Sequence, residues 1–362
     1  MINMEYLRKV FNRKQNIWLI ISGIVLCLFL IILLIGVKLS KTMDAQMAAK
    51  RWSEDNDCTQ ISIFFSELAG IDENSIKELD YTIDSKLDED SIMASSSNGR
   101  RRVSAYSAIG QVTIASQAES MTVKAIGCGG DFFLFHPMKL ISGSYFAGND
   151  VMQDYVVIDE DAAWKLFGSY DVVGQAIEIS GKRNIITGVI ERDTGRLNKL
   201  AGNNESTIYL SYETLKDNHI VTGINCYEVL LPNPVDGYGK EIVKKSVSQD
   251  ELRYDLMENT GRFNWTRLIV RFKTMGSRSM NSKTVVFPYW ENMARGMEDV
   301  LTPLCFMAVL MAAFVIVNLS VLAVRFYTNR TIHKSDIKKF IEHRIEVHRI
   351  NKKKKIEEGD FI

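Results

Sequence analysis

Two uninterrupted apolar runs, Ile17 to Val37 and Pro303 to Val324, bracket this chain, and neither contains a charged side chain. An α-helix rises 1.5 Å per residue, so about 20 apolar residues cross the hydrocarbon core of a bilayer. Each run therefore predicts a membrane-spanning helix. A cleaved signal peptide is the competing reading of the first run. The run is too long for that, and Gly36-Val37-Lys38-Leu39 offers no small-x-small cleavage site. Arg8, Lys9, Arg13 and Lys14 precede the first run against the single acid Glu5. Arg325, Arg330, Lys334, Lys338 and Lys339 follow the second, with Lys352 to Lys355 beyond. The positive-inside rule then places both termini in the cytoplasm and residues 38 to 302 outside. Asn318 and Ser320 interrupt the second span, and polar residues in a span bond either to a neighbouring helix or within their own helix.

Helical spacing continues past the first span through Leu39, Met43 and Met47, and it precedes the second through Trp290, Met293, Met297, Val300 and Leu304, with Pro288 just ahead as a start signal. Two readings stay open: a pair of stalks rising from the membrane, or two stripes that cover the base of the outer domain. Between them the periods mix. Strands are expected at Ile61–Phe65, Ser91–Ala94, Val103–Ile109, Gln111–Ala115, Met121–Gly127, Tyr155–Ile158, Thr207–Leu210 and Tyr227–Leu231. A hairpin is expected from Gln175–Ile179 to Asn184–Ile190 around Ser180-Gly181-Lys182. Helices are expected at Ser75–Leu87, with Ile76, Leu79, Ile83 and Leu87 on one face, at Asp159–Phe167 ahead of Gly168, and near Tyr238–Val247. Irregular mixing of this kind favours an α+β outer domain over a doubly wound sheet.

Net charge is zero, which argues against a nucleic-acid partner, and the basic residues gather beside the spans. Five cysteines are present, Cys27 and Cys305 in the spans and Cys58, Cys128 and Cys226 outside, too few for a disulfide scaffold. At most one internal disulfide can form among the outer three.

No catalytic constellation emerges. There is no phosphate-binding G-x-x-x-x-G-K-[ST] loop, no H-E-x-x-H and no G-x-S-x-G. Gly127-Cys128-Gly129-Gly130 lacks a following helix to aim at a phosphate and reads as a flexible turn. His136 and His219 are the outer domain's possible imidazole bases or ligands, and His343 and His348 are spaced off a helical metal pair. Asp159, Glu160 and Asp161 open a helix, where acids complement the dipole. Arg100-Arg101-Arg102 reads as a solvated loop, with an anionic partner as the alternative. Catalytic, cofactor and metal residues are accordingly all assigned as none, and the chain is not expected to be an enzyme.

One ordered set of short motifs goes further. Ala125-Ile126-Gly127 leads to Asp131-Phe132-Phe133 and Leu140-Ile141-Ser142-Gly143-Ser144-Tyr145-Phe146. Val156-Val157-Ile158-Asp159-Glu160-Asp161-Ala162-Ala163 and Lys165-Leu166-Phe167-Gly168 follow, then Val173-Gly174-Gln175-Ala176-Ile177 and Ile185-Ile186-Thr187-Gly188-Val189-Ile190. This order resembles the extracytoplasmic core domain of MacB-type, FtsX-like ABC transporter permeases, closely over about residues 121 to 215. The matched positions have structural roles, so the resemblance transfers no catalytic residue. Such permeases usually carry four spans, whereas two are found here. The segment from Thr331 onward reads instead as a charged amphipathic helix, capped by Ser335 with Asp336 in its first turn and Ile337, Phe340, Ile341 and Ile345 on one face.

The expected organisation is a cytoplasmic N-terminus (1–16), a first span (17–37), a stalk (38–60), an α+β core domain (61–288), a second stalk (289–302), a second span (303–324) and a basic cytoplasmic tail (325–362). The resemblance implies a bacterial plasma-membrane protein. It further implies a non-catalytic permease-like subunit of a mechanotransmission or export complex, coupled to a separate cytoplasmic ABC ATPase and completed by a homodimer or a fuller permease partner. The tail would dock on that ATPase or on anionic membrane lipid. The alternative is a two-span receptor or assembly scaffold that binds an extracellular partner without ATP.

Overall fold

The computed structural model describes residues 13–53, 57–93, 99–148, 150, 152–275 and 285–359. The chain forms two compact units, one from Val37 to Pro303 and one from the segment up to Gly36 together with Leu304 onward. Helix α1 (Arg13–Ser40) is followed by α2 (Ala48–Trp52), β1 (Cys58–Phe65), α3 (Glu73–Glu89), β2 (Val103–Ala115) and β3 (Ser120–Gly130). Then come α4 (Phe132–Phe135), β4 (Leu140–Gly143), β5 (Tyr155–Asp159), α5 (Glu160–Phe167), β6 (Ala176–Ile179) and β7 (Lys182–Ile190). The chain continues through α6 (Arg196–Leu200), β8 (Thr207–Ser211), α7 (Tyr212–Asp217), β9 (Cys226–Pro232) and α8 (Tyr238–Ser246). It ends with β10 (Tyr254–Glu258), α9 (Trp265–Phe272) and α10 (Tyr289–Gly359). This is the α+β domain expected from the sequence.

The described strands form one sheet in the order β10-β1-β9-β2-β3-β8-β5-β7-β4, with β6 bridging β2 and β7. It builds two lobes that share β2. In the first, β10-β1-β9-β2 is fully antiparallel. The β1-α3-β2 and β9-α8-β10 crossovers each leave one strand between their ends, the split βαβ arrangement of ferredoxin-like sheets. A capping box joining Asp72 and Ser75 starts α3, whose buried Ile76, Leu79, Ile83 and Leu87 meet Ile61, Ile63 and Phe65 of β1 and Ile242 and Val243 of α8. All eight positions of β1 are buried, because the alternate residues Gln60, Ser62 and Phe64 are covered on the opposite face.

In the second lobe the pairings run from β2 to β3, β8, β5, β7 and β6 and back to β2, closing a circuit. Ile114, Val123, Val156, Ile158, Ile177, Ile186, Ile208 and Leu210 share its core with Ala162, Ala163 and Leu166 of α5. Asp159 caps α5 and Gly168 ends it in the left-handed conformation at φ +67°.

Several sequence expectations are corrected. The strand expected at Ser91–Ala94 does not form over the described residues Ser91 to Met93, and Ala94 lies outside the described residues. The strands expected at Val103–Ile109 and Gln111–Ala115 are one 13-residue strand, because β3 pairs with it without a break from Ala105 to Ala115. Gly127-Cys128-Gly129-Gly130 is not a turn but the end of β3, laid against Ala108 to Ala105. The helical stalk expected after the first span is absent. Helix α1 stops at Ser40, and Ser40 and Thr42 hydroxyls bond back to the carbonyls of Val37 and Leu39. Met43, Ala48 and Ala49 are then buried in the domain. Nor is there a separate tail helix started by Ser335. α10 runs unbroken to Gly359, since neither glycine nor proline occurs between Pro303 and that residue. The side chains of Ser335, Asp336, Ile337, Phe340 and Ile341 lie outside the described residues.

Two helices are long and apolar enough to cross a membrane, over Asn16–Ser40 and Tyr289–Arg325. Between them Asn318 Nδ2 donates to Ser22 Oγ at 2.7 Å and reaches the Trp18 carbonyl at 3.5 Å. Asn318 thus bonds to the other span, one of the two roles open to it in the sequence.

Candidate functional site

The segments that join the sheet domain to the two long apolar helices converge on one place. Residues 41–52 lead in from α1, and residues 285–302 lead out along the start of α10. Ala48, Ala49, Val285 and Trp290 share a cluster with Phe64, Phe132, Phe135 and Met257. Gln60 of β1 anchors the incoming segment, accepting from Ala48 N at 3.0 Å and donating to the Ala45 carbonyl at 2.6 Å. Gln46 donates to the Trp290 carbonyl at 3.3 Å. A cleft of about 410 Å³ opens beside this junction, lined by Met43, His136, Asn203, Tyr209, Trp290 and Met293 among others.

At the centre lies a buried ion cluster. After β10, the Arg262 amide donates to the Asn259 carbonyl at 3.1 Å, closing a turn in which Gly261 has φ +68°. That left-handed value favours glycine, and the turn brings Arg262 under the sheet. The guanidinium is 2% exposed as a residue, yet each of its five N–H donors finds an acceptor. Two go to Glu291 at 2.6 and 2.9 Å, two to Glu298 at 2.9 and 3.5 Å, and one to Asn259 Oδ1 at 3.1 Å. Burial alone disfavours the Arg262 cation, but the charges and hydrogen bonds of Glu291 and Glu298 outweigh it and hold its pKa above the ordinary range. Arg295 adds a second cation, donating to Glu291 at 2.7 Å and Asp255 at 2.8 Å. The chain of bonds continues into the sheet. Asn259 Nδ2 donates to Ser62 Oγ at 2.8 Å, Ser62 donates to Glu228 Oε1 at 2.9 Å, and His136 pairs with Glu228 Oε2. One polar path thus joins β1, β9 and the turn after β10 to the first turns of α10, the helix whose later part is long and apolar enough to cross a membrane.

Sequence reasoning missed this cluster. Glu291 and Glu298 stand seven residues apart, on the face that also buries Trp290, Ala294, Met297 and Leu301. Carboxylates at heptad spacing within an apolar stripe were the available signal. Val300, expected in the stripe, is 37% exposed instead.

The other candidates have structural partners. Arg102 pairs with Asp80 at 2.6 Å and Asp84 at 2.9 Å, Arg101 with Asp88 and Arg100 with Asp131, so the basic run is not a solvated loop but a strap across α3. Asp159 accepts from Ala162 N at 2.8 Å, Thr207 N at 2.8 Å and Ser206 Oγ at 2.9 Å, while burial pushes its pKa up. Asp161 meets Arg192 at 3.0 Å. His219 lies exposed after α7, apart from His136 in its pair with Glu228. The five cysteines are free thiols, and burial raises the pKa of Cys128 and Cys226, which suppresses thiolate chemistry.

Fold and junction together describe a mixed-sheet domain inserted between two apolar helices, and a family model for the MacB-like periplasmic core domain matches residues 17–237. The chain belongs to that family. The macrolide export ATP-binding/permease protein MacB of Chromobacterium violaceum is 32% identical over 97 residues, 26% of this chain and 14% of that protein. Among solved structures, the extracellular domain of the noncanonic ABC-type transporter YknZ from Gram-positive bacteria is 16% identical, covering 55% of this chain and 99% of that one at TM-score 0.39. The periplasmic region of MacB from Actinobacillus actinomycetemcomitans is also 16% identical, covering 56% and 89% at TM-score 0.37.

Proposed function

We propose that this chain is a non-catalytic, permease-like membrane subunit of an ABC-type export or mechanotransmission complex. Its two spans cross the plasma membrane, both termini are cytoplasmic, and residues 38–302 stand outside. A separate cytoplasmic ATPase supplies nucleotide-driven movement, and a second copy or a fuller permease completes the assembly, because two helices enclose no pathway. Membership of the MacB-like core-domain family supports the transporter class. The observation that carries coupling is the Arg262 cluster: Glu291 and Glu298 sit on the helix that continues into the second span, while Asn259 and Arg262 belong to the turn that follows β10 of the sheet. A push or rotation of that helix reaches β1, β9 and β10 through charge-assisted bonds rather than through soft apolar contact. Such a junction has two arrangements whose balance the ATPase sets.

Topology is tested with Cys27 and Cys305 replaced by Ala. An impermeant thiol reagent on intact cells reaches Tyr81→Cys and misses Glu346→Cys; the reverse pattern sinks the reading. Coupling is tested on the complex isolated in mild detergent. ATPase activity that co-isolates with the chain and responds to Arg262→Lys, with the complex still assembled, supports it. A complex with no ATPase, or one indifferent to Arg262, favours a two-span receptor or scaffold.

A further inference from the structure

Unsatisfied polar groups gather at one cleft. Among the described residues, three buried side-chain polar atoms lack a hydrogen-bond partner: Asp154 Oδ1, Arg192 Nε and Trp290 Nε1. The last two belong to side chains that line the 410 Å³ cleft beside the junction. Trp290 is 5% exposed, and the Arg192 guanidinium uses Nη2 for Asp161 at 3.0 Å. Asn198 adds a third group. It is 7% exposed, it lines the same cleft, and its side-chain amide engages no hydrogen bond among the described residues. Buried polar groups are normally paired, so a set of unpaired ones around one cavity of this size marks a binding site. The cleft lies wholly within the unit from Val37 to Pro303. Arg192 follows β7, Asn198 lies on α6 and Trp290 opens α10, so segments far apart in sequence build it together.

The chemistry of these groups says what they take. Trp290 Nε1 and Arg192 Nε carry hydrogen and can only donate, so the ligand must bring acceptor oxygens. A carboxylate or phosphate is disfavoured. Asp44, Asp159, Glu191 and Asp193 line the cleft against Lys139 and Arg192, and both cations are already paired, with Glu191 and Asp161. A sugar stacks on an open aromatic face, whereas Trp290 and Tyr209 are buried. Neutral carbonyl oxygens remain. The Asn198 amide presents a donor and an acceptor side by side, the complement of a peptide group's C=O and N–H. Met43, Met138 and Met293 also line the cleft, and their flexible thioether side chains adapt to varied apolar groups.

We propose that this cleft binds a short, uncharged, extended peptide. Trp290 Nε1 and Arg192 Nε donate to its carbonyl oxygens, Asn198 pairs with one of its peptide groups, and the three methionines receive its apolar side chains. The site stands whether or not the chain couples to an ATPase. Trp290 also adjoins both ends of the buried polar path: it precedes Glu291, and its ring lies 4.3 Å from that of His136 between centroids. A peptide held by Trp290 therefore bears on the path from both sides.

The test uses the full chain in mild detergent, with its five tryptophans labelled at the indole nitrogen for NMR. Trp290→Phe identifies the Trp290 signal. The probes are N-acetyl-Leu-Ala-Leu amide, the same peptide with a free C-terminal carboxylate, and maltotriose. Expected is a saturable downfield shift of the Trp290 indole proton with the amide, while the signal of Trp164, which is 58% exposed, stays in place. Asn198→Leu should weaken binding by roughly tenfold with the other indole signals unmoved. Where leucine disturbs those signals, the isosteric Asn198→Asp takes its place in the comparison. Absence of a saturable shift at millimolar peptide overturns the proposal. Equal or tighter binding of the free acid or of maltotriose overturns the ligand class, and binding indifferent to Asn198 overturns the site.

Discussion

Two regions of the sheet domain are held by different forces. The closed β2–β3–β8–β5–β7–β6 lobe encloses an apolar core of branched side chains, which tolerates change as long as volume is kept. The junction at the start of α10 instead buries Arg262, Glu291 and Glu298, whose attraction must repay a large desolvation cost. Apolar packing of the first kind has no preferred direction. The ion cluster has a defined geometry, and any shift of α10 against the sheet alters it. The directional contact lies where α10 begins, ahead of its apolar run, and the non-directional one lies in the closed lobe.

The largest effect is expected of Arg262→Met. It strands two buried carboxylates and should cost about 3–5 kcal/mol, read from denaturant unfolding of the full chain in detergent. The triple change Arg262→Met, Glu291→Leu, Glu298→Met should recover most of that loss while abolishing coupling, because it removes the charges together. Recovery of coupling as well would show that the cluster is only glue. In the apolar lobe, Leu166→Asp places an unpaired charge at a position 3% exposed and should cost about 2–4 kcal/mol. Gly188→Val tests close packing in the same lobe. A Cβ there meets the Ser144 carbonyl oxygen at 2.6 Å and Leu140 at 3.2 Å, so a loss of roughly 1–3 kcal/mol is expected. For both variants, a wild-type melting curve with lost function would overturn the structural role.

The smallest effect belongs to the cap of α3. Hydrogen bonds from the Ser75 side chain and amide hold the Asp72 carboxyl below its usual range. Asp72→Ala should cost about 1 kcal/mol at neutral pH. Since the folded pKa is depressed, the cap's contribution is present above about pH 4 and fades as pH falls through the folded value. The gap between mutant and parent should therefore close in acid, and a gap that widened there would contradict the assignment.

How far the sequence could be read differs by element. Helix α3, helix α5 with Gly168, and the β6–β7 hairpin stand within about two residues of where periodicity and turn chemistry put them, because their signals are local. Strand β10 was not legible: Tyr254 to Glu258 alternates weakly, and it becomes strand because β1 offers it an edge. The Gly127–Gly130 run carries a turn composition, but pairing with β2 overrides it, and the Tyr106 ring occupies the space above Gly129. Arg100 to Arg102 show only charge in sequence; Asp80 and Asp84, one helical turn apart on α3, decide that they are bound.

Features that depend on neighbours along the chain could be read from the residues alone: two apolar runs long enough to cross a bilayer, the α+β mixture, the caps, and the ordered motifs of the MacB-like core. Long-range packing instead folds the segment after Ser40 into the domain rather than letting it rise as a stalk. It also decided that six strands close on one another and that Arg262 meets Glu291 and Glu298. Those outcomes depend on which surfaces come together across long separations in sequence. Burying a cation is favourable only where two carboxylates already wait, and no local pattern records that they do.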